Sequence, residues 1–262
     1  MKTNILSEVQ KYFEQQEVLF GDAIILPETS KTEHIVDDVI ITGNIKTDNV
    51  QLDIQTDITP KIVQYVAEGW ESCVNIPSMI NEISNCQKCP LGKTRTNFVF
   101  GVGNENADIM FIGEAPGNDE DLQGEPFVGR AGQLLNKIIQ AVEWQRENVF
   151  IANILKCRPP NNRDPLQSEV EQCEPYLKKQ IELINPIMLV CLGRIAAQTL
   201  LRTKDSLTNM RSKIHNYHGV PLYVTFHPAA LLRNPNWKPA TWEDFKKMKS
   251  DYENNPNKKF KK

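Results

Sequence analysis

Short apolar runs alternate with amphipathic stretches from Asp108 to the C-terminal part of the chain. Each run ends in a turn signal and leads into residues with helical spacing: IMFIG before GQLLNKIIQAV, NVFIANI before SEVEQCEPYLKKQIELI, IMLVCLG before RIAAQTLL, and PLYVTFHP before a helix predicted over 242–252. Nearly continuous apolar strands are typical of a parallel sheet that is buried on both faces. The pattern predicts an α/β fold, a three-layer α/β/α sandwich with a central, mainly parallel four-stranded sheet.

The N-terminal part of the chain has a different pattern. Apolar residues at helical intervals predict one short amphipathic helix between Ile5 and Leu19. The polar segment that follows, from about Pro27 to Thr59, fits either a weak hairpin or a linker. We therefore expect an acidic N-terminal extension over 1–80, a folded domain over 81–255 and a basic tail over 256–262.

Length and composition are those of an ordinary globular protein, with 262 residues, 40% hydrophobic and 24% charged. The first turns carry Glu8 and Glu14 and contain no uninterrupted apolar run, so we expect neither a signal peptide nor a membrane span. Six cysteines in such a chain favour metal ligation or core filling over a disulfide framework. These features predict a monomeric protein of the reducing cytoplasm.

The net charge of −3 conceals an uneven distribution. Residues 1–80 hold five Lys, no Arg and thirteen acidic residues, a net −8, whereas the remainder holds 25 basic and 20 acidic residues, a net +5. The C-terminal portion can therefore meet a polyanion such as a nucleic acid.

Chemically informative residues follow each predicted strand: Gly113-Glu114-Ala115-Pro116-Gly117, Asn153, Gly193 and His227-Pro228. Singly, each has a structural explanation as a turn, a cap or a surface histidine. The carboxyl ends of parallel strands meet at one edge of the sheet, however, and ligands bind there. Together, these residues predict a binding or catalytic site.

Four cysteines have the spacing of a metal-binding set: Cys86, Cys89, Cys157 and Cys173. Two close thiolates, joined by two more from a distant loop and helix, can surround a zinc ion or an iron-sulfur cluster, and spacing does not choose between them. Cys73 and Cys191 are interpreted as buried core residues.

Two other kinds of site are excluded by the motifs. GEAPG differs from GxGxxG, because Pro116 removes an amide donor and Glu114 would repel a phosphate, so we do not expect dinucleotide binding. No GxSxG motif of a serine nucleophile occurs.

Three motifs, GEAPGNDEDLQGEPFVGRAGQLLNKII, NILKCRPPNNRDP and HPAALLR, occur in that order along the chain, with Cys86 and Cys89 before the first, Cys157 inside the second and Cys173 between the second and the third. In this they closely resemble the family 4 uracil-DNA glycosylases, the iron-sulfur branch of the uracil-DNA glycosylase superfamily. The resemblance covers about residues 85–252. It implies a monofunctional DNA repair enzyme that flips uracil out of single- or double-stranded DNA, hydrolyses its N-glycosidic bond and leaves an abasic site.

The resemblance also implies roles for individual residues. The four cysteines match the ligands of a structural 4Fe-4S cluster. Phe127 matches the aromatic residue that stacks on the extruded uracil, Asn153 the amide that reads its edge, and His227 the histidine of the second catalytic motif. The matched uracil pocket comprises Gly113, Glu114, Ala115, Phe127, Asn153 and His227, with Glu114, Asn153 and His227 as catalytic residues.

These residue types suit the chemistry. An amide accepts from uracil N3–H and donates to O4, a pattern that cytosine reverses. A neutral His227 donates to uracil O2 as the bond breaks, and Glu114 beside C5 would exclude the methyl group of thymine. Ala115 stands where other branches of the superfamily place an Asp that orients water. We therefore favour a dissociative path, with Glu114, Asp119 or Glu120 as water contacts.

Contacts to DNA are predicted for Lys156, Arg158, Arg163, Leu231, Leu232 and Arg233. Leu231 or Leu232 would wedge into the base stack, unless the leucines pack inward and the cations are only solvated. An alternative function is a non-catalytic DNA-binding or polymerase-associated module on the same fold. Residues 1–80 form either a partner-binding segment for repair or replication proteins or a dispensable tail.

Overall fold

The computed structural model describes residues 69–211 and 213–259. The predicted helix between Ile5 and Leu19 and the hairpin or linker after it lie outside the described residues. Across the two described ranges, no helix combines the length and the apolar character needed to cross a bilayer.

A six-stranded sheet forms the middle of the domain: β1 (Val102–Gly103), β2 (Ile109–Gly113), β3 (Phe150–Asn153), β4 (Met188–Leu192), β5 (His215–Tyr217) and β6 (Val220–Thr225). Its spatial order is β1-β3-β2-β4-β6-β5. The four central strands are parallel, as predicted, and β1 and β5 add an antiparallel strand at each edge. The prediction of four strands in total is corrected to six. The edge strands escape prediction because segments of two and three residues are too short to show periodicity.

Eight α-helices lie within the described ranges: α1 (Ile76–Ile83), α2 (Asn118–Gln123), α3 (Arg130–Ala141), α4 (Gln167–Ile184), α5 (Arg194–Leu201), α6 (Leu207–Arg211), α7 (Pro228–Arg233) and α8 (Lys238–Glu253). Helix α8 begins four residues before the predicted start at Trp242. Pro239 lies in its first turn, where the missing N–H of proline costs no helical hydrogen bond.

Alternate residues of the central strands face opposite helical layers. Met110 and Ile112 of β2 are buried in one core with the apolar faces of α1, α4 and α5. Ile109 and Phe111 point the other way, into a second core with α3 and α8. Since side chains alternate along a strand, a strand between two helical layers must be apolar at every position. This arrangement confirms the three-layer α/β/α architecture.

The described part of the chain N-terminal to residue 80 joins the first core. Trp70 packs edge-to-face on Tyr176 of α4, with ring centroids 4.9 Å apart, and Ile76 and Met79 of α1 are buried. Helix α1 thus spans the position at which the sequence was divided into extension and domain. That division stays a prediction.

Candidate active site

The candidate site begins where β2 and β3 end side by side. Gly113 and Asn153 are paired in the parallel register, so both lie at the carboxyl edge of the sheet. A Cβ atom on Gly113 would overlap Oδ1 of Asn153 and lie 2.8 Å from two ring carbons of Phe127. Glycine is therefore required here for close approach, and it lets the amide and the aromatic ring meet.

The Asn153 side chain is held without a partner for its oxygen. The residue is 2% exposed, and Oδ1 is buried with no hydrogen bond to any described residue. An unsatisfied buried acceptor costs about 1 to 3 kcal/mol, so such a group marks a place where a ligand donor is expected.

Phe127 has a strained backbone that a neighbouring carboxylate supports. Its φ is +56°, and its ring centroid is 5.4 Å from that of His227. Glu120 accepts from the amides of Val128 and Gly129, both at 3.0 Å, and from the amide of Gly117 at 3.1 Å. Glu120 was expected as a water contact. Its carboxylate instead joins the loop that contains Gly117 to the loop that contains Val128 and Gly129 by hydrogen bonds.

His227 caps α7 through its side chain. Its Nδ1 accepts from the amide of Ala229 at 3.2 Å. Burial and the nearby Arg233 lower the pKa of His227 to about 4, so the ring is neutral at pH 7. A neutral ring whose Nδ1 is an acceptor carries its proton on Nε2. The cap therefore sets the tautomer and leaves one N–H donor.

Glu114 follows Gly113 at the mouth of the site. Burial, and then the charge of Asp164, raise the pKa of Glu114 to about 7, against an opposing effect of Arg194. A carboxyl group in this state holds its proton over part of the neutral range.

These side chains line one cavity of about 320 Å³ at the sheet edge. Its walls include Glu114, Ala115, Phe127, Asn153, His227 and Arg233. A volume in this range, with an apolar ring and a few converging polar groups, is typical of a small-molecule or base pocket. The structure therefore brings the predicted pocket residues together, with Gly113 behind them.

The four cysteines of the predicted metal set are free thiols, of which Cys157 and Cys173 are buried and Cys86 and Cys89 are half-buried. Three of them receive hydrogen bonds at sulfur: Cys86 from Tyr176 Oη at 3.2 Å, Cys157 from Arg95 Nη1 at 3.3 Å, and Cys173 from the Lys156 amide at 3.3 Å.

The thiols are also close enough to influence one another. Burial raises the pKa of Cys157, the hydrogen bond and charge of Arg95 oppose this effect, and the charges of Cys89 and Cys86 make smaller contributions that raise it. Burial likewise raises the pKa of Cys173 to about 12, with smaller contributions from Cys157 and Cys89. In the two described ranges, no three or more His, Cys, Asp or Glu side chains converge closely enough to hold one metal ion.

Two of the predicted DNA contacts are contradicted by burial. Lys156 is 0% exposed, and its Nζ donates to the backbone oxygen of Asn153 at 2.8 Å and to Oε1 of Gln180 at 2.5 Å. Burial lowers the pKa of Lys156 to about 8, while Cys173 and Cys157 act in the opposite direction. Leu231 is 1% exposed and belongs to the interior of α7, so it cannot act as a wedge.

The other predicted contacts lie at the surface near the cavity. Arg163 forms a bidentate pair with the buried carboxylate of Glu169, at 2.6 and 2.9 Å. Arg158 donates to side-chain oxygens of Asn162 and Asn118. Leu232, 39% exposed, remains available as a wedge.

A second cavity, of about 410 Å³, adjoins the first and is lined by Leu232, Arg233 and Arg130. Arg130, the first residue of α3, was not predicted from the sequence. Its position after the Phe127 loop in GEPFVGRAG was the only signal.

In the three-layer sandwich, the carboxyl edge of the parallel strands brings a buried amide, an aromatic ring and a neutral histidine to one cavity, an arrangement that suits a planar polar ring. The family model of the Uracil DNA glycosylase superfamily matches residues 100–246. The chain belongs to this superfamily, which confirms the resemblance seen in the motifs.

Type-4 uracil-DNA glycosylases from several organisms are similar in sequence to this chain. The chain is 47% identical over 182 residues to the type-4 uracil-DNA glycosylase of Archaeoglobus fulgidus, covering 66% of this chain and 92% of that protein. It is 45% identical over 191 residues to that of Saccharolobus solfataricus, covering 70% and 88%. It is 44% identical over 177 residues to that of Sulfurisphaera tokodaii, covering 64% and 80%.

Proposed function

We propose that this chain is a DNA repair glycosylase that excises uracil from DNA by hydrolysing the N-glycosidic bond and leaves an abasic site. The names of its type-4 relatives support this activity. The observation that carries the proposal is the unpartnered Oδ1 of Asn153, held in one cavity with Phe127 and His227.

Recognition follows from the amide and the ring. Extruding a base from the stack costs a few kcal/mol, roughly, and stacking on an aromatic ring such as Phe127 returns about 1 to 3 kcal/mol. Asn153 Oδ1 accepts from uracil N3–H, and its amide nitrogen donates to O4. Cytosine has an acceptor at N3 and a donor at N4. Its N3 would face the Asn153 oxygen, and its N4 amino group would face the Asn153 amide nitrogen, so neither hydrogen bond could form. Glu114 beside C5 would exclude thymine.

Bond cleavage moves an electron pair from the glycosidic bond onto the uracil ring, where charge develops on O2. The Nε2–H of His227 is the donor that meets this charge, and one preorganised donor contributes about 2.7 to 4 kcal/mol in other enzymes. The sugar becomes cationic and uracil departs as an anion; water then adds at C1′ and passes its proton to the solvent. Ala115 provides no base for this step, so leaving-group stabilisation dominates.

The four cysteines are proposed to hold a 4Fe-4S cluster. Three sulfurs already receive hydrogen bonds, as outer-shell donors commonly provide for ligating thiolates. Four cysteine thiolates can hold either a zinc ion or an iron-sulfur cluster, and the choice of a cluster rests on the resemblance to the family 4 uracil-DNA glycosylases. When bound, the cluster would brace the loop after Asn153 against the segment that carries Cys86 and Cys89.

Incubation of the purified protein with a uracil-containing oligonucleotide, followed by alkali, tests the activity, and a visible absorbance scan tests the cluster. We expect strand cleavage and a brown chromophore. Cys173→Ser should lose the chromophore, whereas the matched control Cys73→Ser should keep it, because Cys73 lies outside the set. DNA binding without cleavage would establish the non-catalytic alternative, and cleavage by a colourless protein would overturn the cluster.

Use of single- or double-stranded DNA, a monomeric state, a cytoplasmic location and a partner for residues 1–80 stay predictions.

A further inference from the structure

Charged side chains hold the peptide units on both sides of Phe127. On the N-terminal side, Nη2 of Arg146 donates to the carbonyl oxygen of Pro126 at 2.7 Å. On the C-terminal side, the carboxylate of Glu120 accepts from the amide of Val128 at 3.0 Å. The φ and ψ angles of Phe127 are the rotations between these two planar peptide units. Fixing both units therefore fixes the backbone conformation of Phe127.

This conformation needs support from its surroundings. The φ of Phe127 is +56°, in the left-handed region that is unfavourable for a residue with a Cβ atom. Such a residue persists only where neighbouring contacts over-determine it. Its ring is 5% exposed, with its centroid 5.4 Å from that of the His227 ring. A turn of the backbone at Phe127 would move the ring out of this position in the base pocket.

Helix α3 closes the loop from another side. A Cβ atom on Gly132 would overlap the backbone carbonyl of Phe127, so the loop lies directly on the helix backbone. Asn136 is one turn further along α3, on the same face, and its Oδ1 accepts from Nη1 of Arg146 at 2.9 Å. The face of α3 that receives the Phe127 loop thus also anchors the arginine that holds it.

The guanidinium of Arg146 is suited to this double contact. It is planar, so the bond from Nη1 to Asn136 also sets the direction in which Nη2 points toward Pro126. Burial lowers the pKa of Arg146, while the charges of Glu125 and Glu120 raise it. Arg146 begins the 3-10 turn Arg146–Asn148, which leads into β3, the strand that ends at Asn153. One side chain therefore connects the loop of the aromatic ring to the segment that precedes the base-reading strand.

We propose that Arg146 is a positioning residue: together with Glu120, it holds the two peptide units that flank Phe127 and so sets the ring for stacking on the extruded base. This inference rests on the proposed uracil excision. Arg146 acts through Phe127, because the two hydrogen bonds of its guanidinium go to Pro126 and Asn136.

Arg146→Met tests the role on the full chain, since it removes both donors but keeps most of the apolar stem. The single-turnover rate of uracil excision should fall by up to about 100-fold, the cost of a misplacement near 1 Å. Affinity for the same oligonucleotide with thymine in place of uracil should stay unchanged. Arg146→Lys keeps the charge and one donor group, so it should recover part of the rate. Lys137→Met, which removes an exposed cation of α3, is the matched control and should behave as wild type.

A double-mutant cycle with Phe127→Gly separates positioning from a general effect on stability. Glycine adopts a positive φ without strain and has no ring, so this variant should lose the stacking contribution, about 5- to 150-fold in rate. Adding Arg146→Met to Phe127→Gly should lower the rate no further, because no ring remains to be positioned. A residue that only stabilises the domain would lower the rate by the same factor in both backgrounds.

The same cycle can be measured by binding. A 2′-fluoro-deoxyuridine oligonucleotide resists cleavage, because the fluorine opposes positive charge on the sugar. The ratio of its affinity to that of the thymine oligonucleotide should fall in Arg146→Met toward the value for Phe127→Gly. If Arg146→Met does not fold, Arg146→Lys takes its place in both cycles, with a smaller expected loss.

Equal factors for the Arg146 variant in the two backgrounds would overturn the inference, as would a wild-type rate and affinity ratio in Arg146→Met. Wild-type protein that prefers the fluorinated uracil oligonucleotide but excises no uracil would refute the proposed function alone, and the binding cycle would still decide the role of Arg146. Wild-type protein with neither activity nor preference would overturn both.

Discussion

The histidine that caps α7 offers the sharpest test of the proposed chemistry, because its two ring nitrogens have separate tasks. Nδ1 accepts from the amide of Ala229 at 3.2 Å, and Nε2 carries the proton that would meet uracil O2. His227→Asn keeps an oxygen acceptor for the helix cap, because asparagine is a favoured cap residue, but its shorter side chain has no donor at the position of Nε2. His227→Ala removes both the cap acceptor and the Nε2–H donor.

The expected magnitude follows from this division. Loss of one preorganised donor costs about 2.7 to 4 kcal/mol in the transition state, which lowers the excision rate by about 100- to 1000-fold in both variants. Only His227→Ala also loses the cap, worth about 1 kcal/mol of stability. Because the pKa of His227 lies near 4, its neutral form should keep its contribution to the rate constant between pH 5 and 8.

Single-turnover excision with enzyme in excess over a uracil oligonucleotide measures the chemical step, and fluorescence anisotropy measures DNA affinity. Affinity should stay near the wild-type value, because the ring contributes to the cavity and not to the outer surface. His218→Asn is the matched control: His218 is exposed in a turn at a φ of +48°, which asparagine tolerates. An unchanged single-turnover rate in His227→Asn would refute the assignment.

Two further perturbations address the neighbouring residues. Gly113→Ala should lower kcat/KM by about 100-fold, because its Cβ would displace Asn153 and Phe127 and a misplacement near 1 Å has a cost of this size. Wild-type values of kcat and KM in a steady-state assay would contradict this prediction. The pKa of Glu114 in the folded protein is about 7, above the ordinary 4.5, so the folded state favours the protonated carboxyl group. The wild-type protein should therefore lose about 1 to 3 kcal/mol of folding stability as the pH rises from 4.5 to 7. Glu114→Gln has no proton to lose, so its stability should rise relative to that of the wild type over this range. Denaturant unfolding at pH 5 and 8 measures the difference, and a constant gap between the two proteins would be evidence against a raised pKa.

Much of the fold can be predicted from the sequence, because a run of apolar residues indicates by itself that the segment is buried. A strand buried on both faces must be apolar throughout, as β2 and β4 are, so its place in the middle of a parallel sheet follows from composition. The residues at the strand ends must then share one edge. Asn153 and His227 are predicted as site residues on this ground, and both line the cavity at that edge.

Burial of single residues outside the strands is less readable. A lysine is expected at the surface, and nothing in KCRPP indicates that Lys156 is enclosed. Its position depends on Gln180, which is 24 residues away in the chain. In HPAALLR, the sequence pattern does not indicate which of the two leucines is buried. The contacts of α7 with other elements bury Leu231 and leave Leu232 outside.

The sequence by itself determined the order of strands and helices, the set of four cysteines and the family, because these depend on local pattern and on motifs. Only the tertiary structure decided that the Asn153 oxygen is buried without a partner, that Ala229 sets the tautomer of His227, and that Glu120 supports the Phe127 loop. Each of these depends on the geometry of individual atoms that meet across loops, and residue type alone does not specify that geometry.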